Sequence, residues 1–136
     1  MFDKCYERLD VIGRGKFGEV IKVKSRLFGE IYVMKKEISP AQDKSRRKEE
    51  IKALKLCNNK NIVKYIDDFY EKDFTMILME YCPGGDLAKL IDKQKDEGTL
   101  FSESLVISFA LDLASAMQYM KSMRIIHRDL KVWFKN

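Results

Sequence analysis

The chain has 136 residues, 46% hydrophobic and 35% charged, with a net charge of +5; this allows one ordinary domain with a modest core. The mild positive charge is densest from Lys44 to Lys60, where Glu49 and Glu50 interrupt it, so it reads as a solvated helix face and not as a nucleic-acid patch. Three cysteines without paired spacing and a single histidine argue against a disulfide framework and a zinc site, and no apolar run is long enough to cross a bilayer. The charged start, Met1 to Arg8, does not read as a signal peptide, and an intracellular protein, cytoplasmic or nuclear, without a membrane partner is expected.

Tyr6 to Ile12 alternates weakly, with Leu9 and Val11 on one side, and is expected to form a strand. Gly13-Arg14-Gly15-Lys16-Phe17-Gly18 follows, and Glu19 to Lys24 alternates with period two as a second strand. A dinucleotide-binding glycine motif must open a helix; this one opens a strand, so its glycines are expected at a hairpin tip. Glycine there permits positive φ and lets backbone amides approach an anion such as phosphate. Ile31 to Lys35 reads as a third strand, with Ile31, Val33 and Lys35 on one face. A lysine that continues an apolar face either snorkels to the edge or reaches an anion. Lys36 and Glu37 are expected on a solvent-facing strand end.

Ser39-Pro40 is a helix start, and the helix is expected from about Gln42 to Leu56. Glu50 borders its buried stripe; taken alone, it reads as a surface partner of Arg46 or Arg47. Asn61 to Tyr65 and Phe74 to Met79 read as strands separated by an acidic turn. Glu80 to Gly85 is an extended connector, because Pro83 ends any ladder and two glycines allow a bend. Asp86 is expected to cap a short helix, and Ser102 a long one reaching about Met123, with Phe101 stapled against Val106. That long helix is apolar on more than one face and is expected to need protein around it. Ile125 and Ile126 read as a short buried strand leading into His127-Arg128-Asp129-Leu130-Lys131. A carboxylate beside a fixed cation suits a proton acceptor, and the lysine beyond it suits a phosphate.

Together these pieces resemble the first half of a eukaryotic protein kinase domain of the serine/threonine type, with wording most similar to the NIMA-related kinases in Glu80-Tyr81-Cys82-Pro83-Gly84-Gly85-Asp86-Leu87. Gly13 to Val20 resembles the glycine-rich loop, Tyr32-Val33-Met34-Lys35 the strand carrying the phosphate-binding lysine, Glu50 the helix glutamate, and His127 to Lys131 the catalytic loop. The resemblance implies an α+β fold: an antiparallel sheet with one regulatory helix over residues 1–79, a hinge over 80–85, and the first helices of a helical lobe over 86–131. It implies ATP and magnesium as cofactors and a protein hydroxyl as substrate. Ile12, Gly13, Arg14, Gly15, Lys16, Phe17, Gly18 and Val20 would cover the nucleotide. Val33 and Met79 would line the base, and backbone groups of Glu80 and Cys82 would bond adenine. Lys35 would contact the α/β-phosphates, held by Glu50; Asp129 would take the hydroxyl proton, with Lys131 near the γ-phosphate.

The sequence departs from the family in three places. Val33 replaces the usual alanine. Phe134 stands where a metal-binding asparagine is expected, and no Asp-Phe-Gly run follows, so no residue is assigned to metal. The 132–136 tail, Val132-Trp133-Phe134-Lys135-Asn136, does not continue the motif. The missing magnesium ligands imply a fragment that is inactive alone, whereas Val33 is expected to be tolerated. The alternatives are a nucleotide-binding or regulatory module, with a protein partner covering the apolar helix 102–123, and a non-functional product of a frame change or intron translation.

Overall fold

The structure is a computed structural model that describes residues 2–15, 18–38, 44–71 and 73–127. It divides into two compact units, 1–81 and 82–136, and the division falls inside the expected connector.

The first unit is built on a five-stranded sheet in the order β1-β2-β3-β5-β4, with β1 Tyr6–Gly15, β2 Gly18–Ser25, β3 Ile31–Ile38, β4 Tyr65–Glu71 and β5 Phe74–Glu80. All neighbours are antiparallel. Two helices join it, α1 Phe2–Cys5 and α2 Lys44–Leu56. Ser39, Pro40 and Gln42, which carry the expected start of α2, lie outside the described residues.

Period-two alternation divides the sheet into two faces. Ile21, Val23, Met34, Met76 and Leu78 point to one face and are buried there with Phe2. Tyr6, Tyr32, Ile66 and Phe69 pack around them. The Phe2 ring stacks on Tyr6 at 5.2 Å and meets Phe69 edge-on at 5.4 Å. Burying a side chain of this size contributes about 2–3 kcal/mol, enough to hold α1 to the sheet despite its single turn. The opposite face carries Val20, Val33, Lys35, Ile77 and Met79.

Two strand expectations are corrected. The fourth strand is Tyr65–Glu71 and not Asn61 to Tyr65, so the supposed acidic turn is itself strand. Pairing with β5 decides this: Asp68 lies opposite Ile77 and Phe69 opposite Met76, and the ladder overrides the low strand propensity of aspartate. The first strand forms over the expected residues, and Leu9 and Val11 are 40% and 44% exposed because β1 is an edge strand with register shifts between Arg8 and Gly13. Glu37 does not face solvent; it is among the buried polar residues.

The second unit contains α3 Leu87–Asp96 and α4 Glu103–Ser122. The Asp86 side chain accepts from Lys89 N at 2.8 Å, and Ser102 Oγ accepts from Leu105 N at 3.3 Å, so both expected caps form. Phe101 finds its ring partner in Phe109, at 6.3 Å. On α4 only Ala116 is buried; Leu105, Val106, Ile107, Leu111, Leu113 and Met117 are exposed. Among the described residues no helix is long and apolar enough to cross a membrane.

Ile125 and Ile126 form no buried strand. The helix ends instead in a Schellman motif: Arg124 N donates to Lys121 O at 3.0 Å and Ile125 N to Met120 O at 2.8 Å. Ile125 is consumed by that cap, and Ile126 is left 76% exposed.

Candidate functional site

Strand register gathers the candidate residues of the first unit. Gly13 lies opposite Val20, Val20 opposite Lys35, and Lys35 opposite Ile77, in one row across four strands. Val33 lies opposite Met79 in the next row of the same face. Directly opposed residues share a face, so Gly13, Val20, Val33, Lys35 and Met79 sit together although 66 positions separate the first from the last. Ile12 falls within a register shift and is exposed, and Arg14 pairs with Glu19 at the turn end of the β1–β2 ladder, beside the Gly15–Gly18 pair.

The glycines serve different purposes. Neither Gly13 nor Gly15 has positive φ, contrary to the expectation for a tight tip. A Cβ on Gly15 would meet nothing within 4 Å, so there is open space beside the backbone at this point. Gly18 is required by packing: a Cβ there would lie 2.0 Å from Lys36 O and 2.9 Å from Glu37 Cα. Lys16 and Phe17 lie outside the described residues.

Lys35 is held by carboxylates. Its Nζ lies 3.4 Å from Glu50 Oε1 and 3.1 Å from Glu37 Oε1. Arg47 Nη1 donates to Glu37 Oε2 at 2.5 Å and to Glu50 Oε2 at 3.1 Å. These four side chains form a closed ring of alternating charge that joins β3 to α2 and places α2 over the face bearing Lys35. Glu50 therefore contacts both the lysine expected from the resemblance and Arg47, the surface partner expected from helix spacing. Neither Glu37 nor Arg47 was expected as a member of the site. The signal was present: Glu37 is two residues beyond Lys35 on the same strand face, and Arg47 is one turn before Glu50.

A second polar cluster ties the end of α2 to β4. Lys55 Nζ lies 2.6 Å from Asp68 Oδ1, and Tyr65 donates its hydroxyl proton to the same carboxyl. Burial pushes the Asp68 carboxyl up, but hydrogen bonds from Lys55, Tyr65 and Tyr70 outweigh it and hold it below its usual range. Burial, then the bond to Asp68, pushes the Tyr65 phenol up to about 12.

At the end of β5, Glu80 N donates to Lys64 O at 3.0 Å, and the Glu80 carboxylate accepts from Lys64 N at 2.8 Å. The Glu80 amide is therefore committed to Lys64. In the second unit, Cys82 O accepts from Gly85 N at 3.2 Å, and Gly85 takes the positive φ that its bend requires. Asp129 and Lys131 lie outside the described residues. Among the described residues no group of three or more His, Cys, Asp or Glu is placed to hold a metal ion.

The family model of the protein kinase domain matches residues 6–133. The chain belongs to the protein kinase family. It is 40% identical over 129 residues to the serine/threonine-protein kinase Nek1 of Mus musculus, covering 93% of this chain and 11% of that protein. It is 40% identical over 131 residues to Nek4 of Mus musculus, covering 93% and 16%. It is 39% identical over 134 residues to the inhibitor of nuclear factor kappa-B kinase subunit alpha of Xenopus laevis, covering 93% and 18%. The chain thus spans less than a fifth of the length of these relatives. Its sheet of five antiparallel strands and its helices agree with the α+β fold expected for the first half of a kinase domain.

Proposed function

We propose that this chain carries the nucleotide-binding part of a serine/threonine protein kinase and that Lys35 is its phosphate contact. The observation that carries this reading is the Lys35–Glu50 pair, on the same sheet face as Val20, Val33 and Met79. An apolar surface beside an ammonium suits a flat base joined to a polyphosphate. The open backbone at Gly15 leaves room for phosphate oxygens, so the described residues fit ATP. Val20, Val33 and Met79 would line the base, and backbone groups of Glu80 and Cys82 would bond its edge.

When bound, ATP supplies the phosphoryl group; the chain's residues position and neutralise it. Lys35, oriented by its carboxylates, meets the α/β-phosphates. In a complete kinase domain Asp129 would accept the proton of a serine or threonine hydroxyl, and Lys131 would balance charge at the γ-phosphate. By resemblance, magnesium would need an asparagine where this chain has Phe134. Residues 1–136 by themselves are therefore expected to bind ATP without transferring phosphate. The three free cysteines are in keeping with an intracellular, reducing setting.

Calorimetric titration of ATP into the chain and its Lys35→Met variant tests the binding reading. Loss of the charge-assisted contact should weaken binding about tenfold, or ~1.4 kcal/mol. Equal affinity in the two proteins would contradict it. Phosphate transfer to casein above the Lys35→Met control would overturn the expected inactivity.

A further inference from the structure

We propose that Glu37 is a second positioning residue for Lys35, and that Glu37, Arg47 and Glu50 form a cradle from which Lys35 can be released to an anion without leaving a buried carboxylate uncompensated. The proposal rests on reading Lys35 as the phosphate contact.

Three observations carry it. Glu37 is nearer to Lys35 than Glu50 is, at 3.1 Å against 3.4 Å. Its side chain is also less exposed, 12% against 38%, and charge pairs strengthen as water is removed from them. Arg47 contacts both carboxylates through one nitrogen, with its side chain 18% exposed.

A carboxylate as enclosed as Glu37 is costly without a cation. With Lys35 as its only partner, that cost would hold the lysine in place. Arg47 removes the constraint, because it stays bonded to Glu37 and Glu50 when the ammonium moves toward phosphate. Its guanidinium stays charged and offers several donors in a fixed plane, whereas an ammonium is a mobile point charge. The geometry thus gives Arg47 the fixed role and Lys35 the mobile one. Both carboxylates belong to elements that must stay in register, β3 and α2, so the same ring keeps the helix over the sheet.

The test follows the Lys35 amine in the nucleotide-free chain by trace acetylation with acetic anhydride, resolved by tandem mass spectrometry against Lys24 as internal reference. Glu37→Gln should raise Lys35 labelling several-fold, at least as much as Glu50→Gln. Unchanged labelling in Glu37→Gln beside a rise in Glu50→Gln would overturn the proposal. If Glu37→Gln lacks a cooperative melt, Glu37→Asp carries the comparison: labelling above wild type supports the proposal, and labelling equal to wild type overturns it. Arg47→Gln should speed amide exchange several-fold across Lys44–Leu56, with partial recovery in Arg47→Lys; unchanged exchange would remove Arg47 from the cradle. None of these measurements contains nucleotide. Failure of added ATP to protect Lys35 would sink the nucleotide reading separately.

Discussion

Lys55 Nζ lies 2.6 Å from Asp68 Oδ1, joining the last turn of α2 to the middle of β4. The carboxyl titrates below its usual range in the folded chain. Its stabilising contribution is therefore complete above the unfolded value of about 3.9 and is lost as pH falls through the lower folded value. Asp68→Asn should cost about 1–3 kcal/mol at neutral pH and should flatten the acid limb of the stability curve. Urea melts of both proteins across the acid range would check this; curves that stay parallel below about pH 4 would contradict it.

Gly18 allows β2 to approach β3 more closely than any side chain would permit. Gly18→Ala must displace backbone at Lys36 and Glu37, since the new Cβ would meet Lys36 O at 2.0 Å. Overpacking of this kind costs about 1–3 kcal/mol. Because Glu37 belongs to the charge ring, the substitution should also raise Lys35 acetylation. Gly15→Ala meets open space and should be nearly neutral in a thermal melt.

Arg124 takes a left-handed φ of 56° at the end of α4, the position where helices favour glycine. A side chain there costs about 1–2 kcal/mol. Arg124→Gly is expected to stabilise the second unit by about 1 kcal/mol, measured by amide exchange across Glu103–Ser122. A destabilised α4 would show that the arginine side chain matters more than backbone strain.

What the sequence made legible was local. Asp86 and Ser102 could be read as caps because a cap is decided by one side chain and the amides within a turn of it. The β1–β2 hairpin was legible because its strands flank the glycines directly. The fourth strand was misplaced because its position depends on β5, and the pattern Tyr65-Ile66-Asp67-Asp68-Phe69 argues for a turn until that partner is present. Ile125 and Ile126 misled for a related reason: the left-handed Arg124, which ends α4 through Ile125, has no glycine to announce it. At the candidate site, Lys35 and Glu50 were legible through resemblance, while Glu37 was taken for a solvent-facing strand end. Period-two alternation places Glu37 beside Lys35, but Arg47, ten positions further on, supplies the second cation that makes a buried carboxylate acceptable there.

Whether Lys35 meets the phosphates of a bound nucleotide can be measured directly with an acyl-phosphate derivative of ATP, which transfers its acyl group to an amine beside the phosphates. Tandem mass spectrometry of the labelled chain should find the modification on Lys35, suppressed by free ATP and absent in Lys35→Met. Labelling spread evenly over Lys22, Lys24 and Lys36, and indifferent to competing ATP, would contradict the account.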